Sequence, residues 1–237
     1  MTGLKAADAL WAVVPAAGSG RRMGAEKPKQ YLPLAGRPVI THVLDRLASH
    51  PRVSGIVVVL AEDDDWWPAL DYRHDKLLPG APGGETRAQS VANGLDALRS
   101  CAGPDDWVLV HDAARPCVPR EDLDALLRAA ADGHGALLAL PIHDTVKRAD
   151  AAGRVVGTVD RRHLWRALTP QLFRIEALSK ALAEAHAAGV EVTDEAMAME
   201  RAGYRPHLVA GSGENIKITV PADLALAEYY LGVNRNS

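Results

Sequence analysis

The chain has 237 residues, 27 of them basic and 30 acidic, for a formal net charge of −3. Hydrophobic residues make up 48% and charged residues 24%, enough apolar surface to offset chain entropy and argue against disorder. The mild acidity argues against a broad basic face for DNA or RNA, and the 5% of aromatic residues argues against a stacking platform for single strands. No apolar run approaches the roughly 20 residues of a membrane helix. The two cysteines, Cys101 and Cys117, form no C-x-x-C pair and no zinc spacing with histidine, which excludes a stapled secreted scaffold and points to a reducing cytoplasm. Asp8 interrupts the one stretch that resembles a signal peptide, so a first strand is expected there instead.

In chain order, Leu10 to Pro15 reads as a buried strand, Val39 to Leu47 as a helix, and Gly55 to Leu60 as a Val-rich strand. Arg87 to Leu98 has helical spacing and Trp107 to His111 reads as a strand. Leu123, Leu126, Leu127 and Ala130 share one helix face, and Ala136 to Leu140 is again a strand. Continuous apolar strands separated by helices predict parallel βαβ units with helices on both faces. The pattern breaks over 142–168, where Thr145-Val-Lys-Arg-Ala and Arg154-Val-Val-Gly-Thr-Val flank Asp150-Ala-Ala-Gly153 and predict a charged β-hairpin. A lone hairpin is marginal and needs its own domain or a second subunit to pack on. Helical spacing resumes at Ile175, Leu178 and Leu182, and Thr193 is placed to cap the next helix. Strands are expected near His207 to Ala210 and Asn215 to Ile218, with Pro221 opening a last helix to Leu231. One domain over 1–237 with a 142–168 excursion fits better than two.

Four stretches carry residues suited to chemistry. Pro15-Ala-Ala-Gly-Ser-Gly-Arg-Arg-Met-Gly24 follows the first strand and leads into Glu26-Lys-Pro-Lys-Gln30. Its glycines fit neither the dinucleotide fingerprint nor a Walker A loop. Arg21, Arg22, Lys27 and Lys29 nevertheless concentrate positive charge on a glycine-rich strand end, which predicts polyphosphate binding. His111-Asp-Ala-Ala-Arg-Pro116 ends another strand. Asp112 there suits Mg²⁺ beside phosphates and Arg115 suits a second phosphate, the alternative being a turn with an Asp–Arg surface pair; His111 reads as a packed strand-end histidine rather than a ligand. Gly83-Gly-Glu-Thr-Arg-Ala-Gln-Ser90 leads into a helix and reads either as a base-reading loop or as a plain glycine turn with a cap. Thr145, Arg161, Thr169 and Lys217 form the fourth group; Lys217 in an apolar stretch reads either as meeting an anion or as an edge-strand lysine, and the hairpin residues either as functional or as solubility charges.

Taken together these stretches resemble the 2-C-methyl-D-erythritol 4-phosphate cytidylyltransferase family, from Trp11 to Leu231. Further matching blocks are Pro28-Lys-Gln-Tyr31, Asp144-Thr-Val-Lys-Arg148, Thr158-Val-Asp-Arg161, Ala167-Leu-Thr-Pro-Gln171, Thr193-Asp-Glu195 and Asn215-Ile-Lys-Ile218. The resemblance implies an α/β, Rossmann-like three-layer nucleotidyltransferase fold with a mostly parallel sheet and a protruding β-hairpin arm. It implies that CTP binds with Mg²⁺ or another divalent metal, that the sugar 4-phosphate attacks the α-phosphorus, and that pyrophosphate leaves. Arg22 and Lys29 would stabilise the transition state. Ala16, Ala17 and Gly18 would cradle the nucleotide, and Gly84, Glu85 and Ser90 would read cytosine. Asp112 would serve the metal and the substrate, while Arg115, Thr169 and Lys217 would hold the sugar phosphate. Thr145 and Arg161 would reach it from the arm of the other subunit of a homodimer, Arg161 and Lys217 counting as catalytic. Lys27 falls where the family varies and is left out of catalysis. Glu85 stands where a related enzyme is expected to carry Asp, so its base contact stays open. With 237 residues, the fused cyclase domain that some relatives carry is not expected here.

The competing readings are a cytidylyltransferase for another polyol phosphate such as ribitol 5-phosphate, a sugar-1-phosphate nucleotidyltransferase using another base, and a non-catalytic nucleotide-binding regulator. No nucleic acid, no membrane and a cytoplasmic location are expected.

Overall fold

The computed structural model describes residues 8–18, 27–130 and 133–233. These form strands β1 (Leu10–Pro15), β2 (Pro33–Leu34), β3 (Arg37–Pro38), β4 (Val53–Leu60), β5 (Ala81–Pro82), β6 (Trp107–Val110), β7 (Ala136–Pro141), β8 (Val146–Ala149), β9 (Val155–Val159), β10 (Trp165–Arg174) and β11 (His207–Ala210). The helices are α1 (Val39–Ala48), α2 (Trp66–Leu70), α3 (Arg87–Leu98), α4 (Arg120–Ala129), α5 (Ile175–Ala187), α6 (Glu195–Arg201) and α7 (Ala222–Val233).

In β1 the apolar run is continuous because both faces are buried. Leu10, Ala12 and Val14 enter one core, and Trp11 and Val13 enter the other. The first core takes the apolar faces of α1 and α4. The second takes those of α3, α5 and α6. The sheet between them has the order β11-β7-β10-β6-β1-β4-β5. Its pairs are parallel except where β10 runs antiparallel to both β6 and β7. This is the three-layer, mostly parallel α/β architecture read from the chain. Gly94 allows α3 to lie close on the sheet, since an added Cβ would stand 2.6 Å from a Val13 methyl and 2.9 Å from a Val59 methyl. The N-terminus of α3 therefore sits beside the C-terminal ends of β1 and β4, the edge where ligands collect in such sheets.

Four expectations need correction. The strand β10 falls where no strand is read from the sequence, and it begins at Trp165, inside the predicted excursion. Pro170 argues against a central strand. The sheet accommodates it with a bulge, in which pairing with β7 shifts register between Ala167 and Gln171. Asn215 to Ile218 is not a strand. It is irregular chain that meets the loop after β6, with Ile218 N donating to Ala114 O at 2.8 Å. The helix after Thr193 is capped one residue later, by Asp194, whose carboxylate accepts from Met197 N at 3.0 Å, and α7 starts at Ala222 rather than Pro221.

The hairpin is present. β8 pairs with β9 antiparallel as a separate two-stranded sheet, and Ile142 N donates to Leu164 O at its base. Val155 and Val156 on it are 63% and 60% exposed, an apolar surface the monomer leaves uncovered. Among the described residues no helix is long and apolar enough to cross a membrane.

Candidate active site

Beyond β1 the chain turns at Ala16, whose N–H still donates to Val59 O at 2.7 Å. Gln30 then reaches back, its Nε2 donating to Ala16 O at 2.6 Å and to Gly18 O at 3.3 Å. Both carbonyls are thereby occupied, which removes two oxygens that would repel a phosphate. Gln30 belongs to a 3₁₀ turn over Lys29–Tyr31, anchored by Tyr31 Oη donating to Asp64 Oδ2 at 2.7 Å. The turn sets Lys29 on the wall of a cavity of 390 Å³, within the size range of small-molecule sites.

The opposite wall is the loop into α3. Gly83 N donates to Leu60 O at 2.6 Å. Ser90 is buried and its hydroxyl is already engaged, accepting from Gly84 N and donating to Thr86 O, each at 3.0 Å. Thr86 caps α3 by accepting from Gln89 N at 3.1 Å, and Glu85 N donates to Gln89 Oε1 at 3.1 Å. Ser90 thus shapes this loop from behind, while Gly84 and Glu85 line the cavity.

The floor is Asp112, just past β6 and nearly fully buried. Its Oδ1 accepts from Arg87 Nε at 3.2 Å. Its Oδ2 lies 2.8 Å from Lys217 Nζ and 3.4 Å from Arg115 Nε. Burial by itself would raise the Asp112 pKa, but Arg87, Lys217 and Arg115 together outweigh it and hold the carboxyl well below the ordinary carboxylate range. Arg87 is shared, with Nη1 2.5 Å from Glu195 Oε1 and Nη2 3.2 Å from Glu195 Oε2. Arg115 Nη1 donates to Asn215 O at 2.8 Å.

Thr169, presented by the β10 bulge, completes the mounting. Its Oγ1 accepts from Asp112 N at 3.0 Å and donates to His111 Nδ1 at 3.0 Å. His111 Nε2 then donates to Arg115 O at 3.0 Å. That sequence of donors requires a neutral imidazole, and full burial agrees, pushing the His111 pKa down to about 4 despite the neighbouring Asp112. His111 is therefore the packed strand-end histidine expected from the sequence.

The structure thus brings Ala17, Gly18, Lys29, Gly84, Glu85, Ser90, Asp112 and Lys217 to one cavity. Ala16 lies buried behind it, and Arg115 and Thr169 stand beside Asp112 without lining the opening. Arg22 lies in 19–26, outside the described residues. Thr145 and Arg161 lie on the arm, where Arg161 Nη1 donates to Thr145 Oγ1 at 3.5 Å, and neither lines the cavity of its own chain. Sequence reading missed the parts played by Gln30, Glu195 and Asn215, and it placed Arg87 in the first turn of a helix without giving it a partner. Arg87 and Glu195 are 108 residues apart, so no local spacing signals their pairing. A larger cleft of 730 Å³ runs between α3 and α5. Asp112, Lys29 and Lys217 are absent from its walls and line the smaller cavity instead. Among the described residues no three His, Cys, Asp or Glu side chains cluster as a metal site.

The sequence profile of the family 2-C-methyl-D-erythritol 4-phosphate cytidylyltransferase matches residues 10–233. The chain belongs to this family. An enzyme of that name from Ectopseudomonas mendocina is 57% identical over 218 residues, covering 91% of this chain and 93% of that protein. The Pseudomonas aeruginosa enzyme is 56% identical over the same coverage. The crystal structure of the Francisella tularensis 2-C-methyl-D-erythritol 4-phosphate cytidylyltransferase superposes with a TM-score of 0.82 at 36% identity, over 94% of this chain and all of that one. The matched residues include both walls and the floor of the cavity.

Proposed function

We propose that this cavity binds CTP and that the chain transfers CMP to the phosphate of 2-C-methyl-D-erythritol 4-phosphate, giving 4-diphosphocytidyl-2-C-methyl-D-erythritol and pyrophosphate. The observation that carries the reading is the ionised Asp112 among Arg87, Arg115 and Lys217, facing Lys29 beside a glycine-rich strand end, in a chain of this family. A phosphate oxygen of the sugar forms a bond to the α-phosphorus, the bond from that phosphorus to the oxygen bridging to the β-phosphate breaks, and pyrophosphate carries away the electron pair. Two anions must meet for this, and charge grows on the equatorial oxygens as they do. Lys29 and Arg22 supply positive charge there, which lowers the barrier by electrostatics and positioning without a covalent nucleophile. Lys217 holds the sugar phosphate from the cavity wall, and Arg115 and Thr169, buried beside Asp112, support that end of the site. Ala16, Ala17 and Gly18 cradle the nucleotide, while Gly84, Glu85 and Ser90 form the cytosine loop.

Asp112 fits a Mg²⁺ ion on one condition. The carboxylate is ionised, and a single carboxylate is what Mg²⁺ uses when phosphates and water complete its shell. However, both oxygens already face cations, so an ion alone is repelled and the triphosphate has to enter with it. When bound, it neutralises charge on the triphosphate. The exposed valines of the arm support a homodimer in which Thr145 and Arg161 reach the partner's sugar phosphate. A cytoplasmic location accords with two free cysteines, Cys101 and Cys117. Pyrophosphate release measured with methylerythritol phosphate and with ribitol 5-phosphate tests the reading; equal rates overturn the substrate assignment.

A further inference from the structure

Among the described cations on Asp112, Arg87 is the one also held by a second carboxylate, and that carboxylate belongs to a nearly fully enclosed side chain. Glu195 is 1% exposed. It opens α6, whose cap Asp194 accepts from Gln171 Nε2 at 2.9 Å, while Gln171 Oε1 accepts from Ala196 N at 2.7 Å. Gln171 lies on β10, two residues beyond Thr169, which itself accepts the Asp112 N–H. The backbone and the carboxylate of Asp112 are therefore mounted on the same pair of elements, β10 and α6.

A guanidinium that lines a phosphate cavity is free to turn into it and take the substrate itself. The two bonds to Glu195 prevent that and leave the Nε edge of Arg87 on Asp112 Oδ1. Burying such a pair is weak evidence for a stabilising role, since apolar replacements of similar volume do as well. What an apolar pair cannot do is aim a carboxylate.

We propose that Glu195 and Arg87 form a positioning clamp that fixes Asp112 Oδ1, leaving Oδ2 to Lys217 on the cavity side. The clamp acts through Asp112 and so rests on the assignment of Asp112 to the cavity made above.

The experiment compares kcat/KM for CTP and for the sugar phosphate, with Tm, in Glu195→Gln, in Arg87→Lys and in the double variant Arg87→Met/Glu195→Met. Each is made with and without Asp112→Asn. The double variant leaves no buried charge unpaired and guards against simple unfolding. With Asp112 present, each folded variant is expected to lose about 10- to 100-fold in kcat/KM. Arg87→Lys is expected to lose as much as the others, because an ammonium keeps the charge but not the fork. In the Asp112→Asn background the same changes are expected to cost less than about twofold, since groups that act through one residue are not additive with its removal. An equal fold-loss in both backgrounds, full rescue by Arg87→Lys, near-normal activity of a folded double variant, or failure of all three to fold overturns the clamp. If Asp112→Asn alone leaves kcat/KM unchanged, the assignment of Asp112 falls first and the clamp falls with it.

Discussion

Gly83→Ala tests whether the two walls of the cavity must touch. A Cβ added at Gly83 would stand 2.4 Å from the Ala17 Cβ and 3.1 Å from Leu60 O. Carbon atoms in contact sit about 3.5–4.0 Å apart, so the walls must separate by roughly 1 Å or more. Neither side yields easily. Ala16, next to Ala17, is bonded to Val59 O, and Gly83 N is bonded to Leu60 O. Overpacking of this kind costs about 1–3 kcal/mol of stability, and each kcal/mol lowers Tm by about 2–4 °C in a chain of this size. A misplacement of about 1 Å at a reacting centre costs about 10²-fold in rate. The expected result is therefore a folded protein with a modestly lower Tm and a kcat/KM for CTP reduced about 100-fold. Pyrophosphate release under varied CTP gives the rate and calorimetry gives Tm. Gly213→Ala is the control, because a Cβ there meets nothing within 4 Å. Wild-type kcat/KM and Tm in Gly83→Ala would refute the close approach.

Other consequences are as specific. Lys29→Ala is expected to lower kcat about 10²–10³-fold, or about 3–4 kcal/mol, with little change in Tm; near-normal turnover removes Lys29 from the reaction. Arg161→Ala is expected to damage use of the sugar phosphate while sparing KM for CTP, and mixing it with Lys29→Ala subunits is expected to restore activity, because one site of each mixed dimer is then intact. No recovery on mixing contradicts an arm that crosses to the partner. His111, with a folded-state pKa near 4 against about 6.5 unfolded, binds its proton more weakly in the folded state. Its contribution is fully present above about pH 6.5 and is lost as pH falls toward 4, amounting to about 3 kcal/mol. Denaturant titrations of the wild type and His111→Gln across that window check the sign, and identical pH slopes refute it.

Local patterning carried much of the fold. The ends of β1 and α3 fall where the apolar run and the Thr86 cap put them, because burial on both faces and capping are decided by adjacent residues. The strand β10 was hidden because its middle holds Thr169 and Pro170, and the bulge that tolerates them is made by β7, not by β10 alone. Asn215 to Ile218 misled in the opposite way. Its apolar alternation is real, but Ile218 packs in a small core with Leu34, Val39 and α7 instead of joining the sheet. At the site, the glycines and cations after β1 pointed to a phosphate loop, and of that stretch Ala17, Gly18 and Lys29 line the cavity. The hydroxyl of Ser90 and the carboxylate of Glu195 face inward to hold Gly84 and Arg87, and such support depends on partners that no spacing along the chain displays.

The most direct test of the central claim is Mg²⁺-dependent pyrophosphate release by the purified chain with CTP and 2-C-methyl-D-erythritol 4-phosphate together. The account predicts turnover only with both substrates and the metal, formation of 4-diphosphocytidyl-2-C-methyl-D-erythritol in equal amount, and a much slower reaction with ribitol 5-phosphate or with UTP, ATP or GTP. Absence of pyrophosphate release from this pair, in protein that is folded and binds CTP, would contradict it.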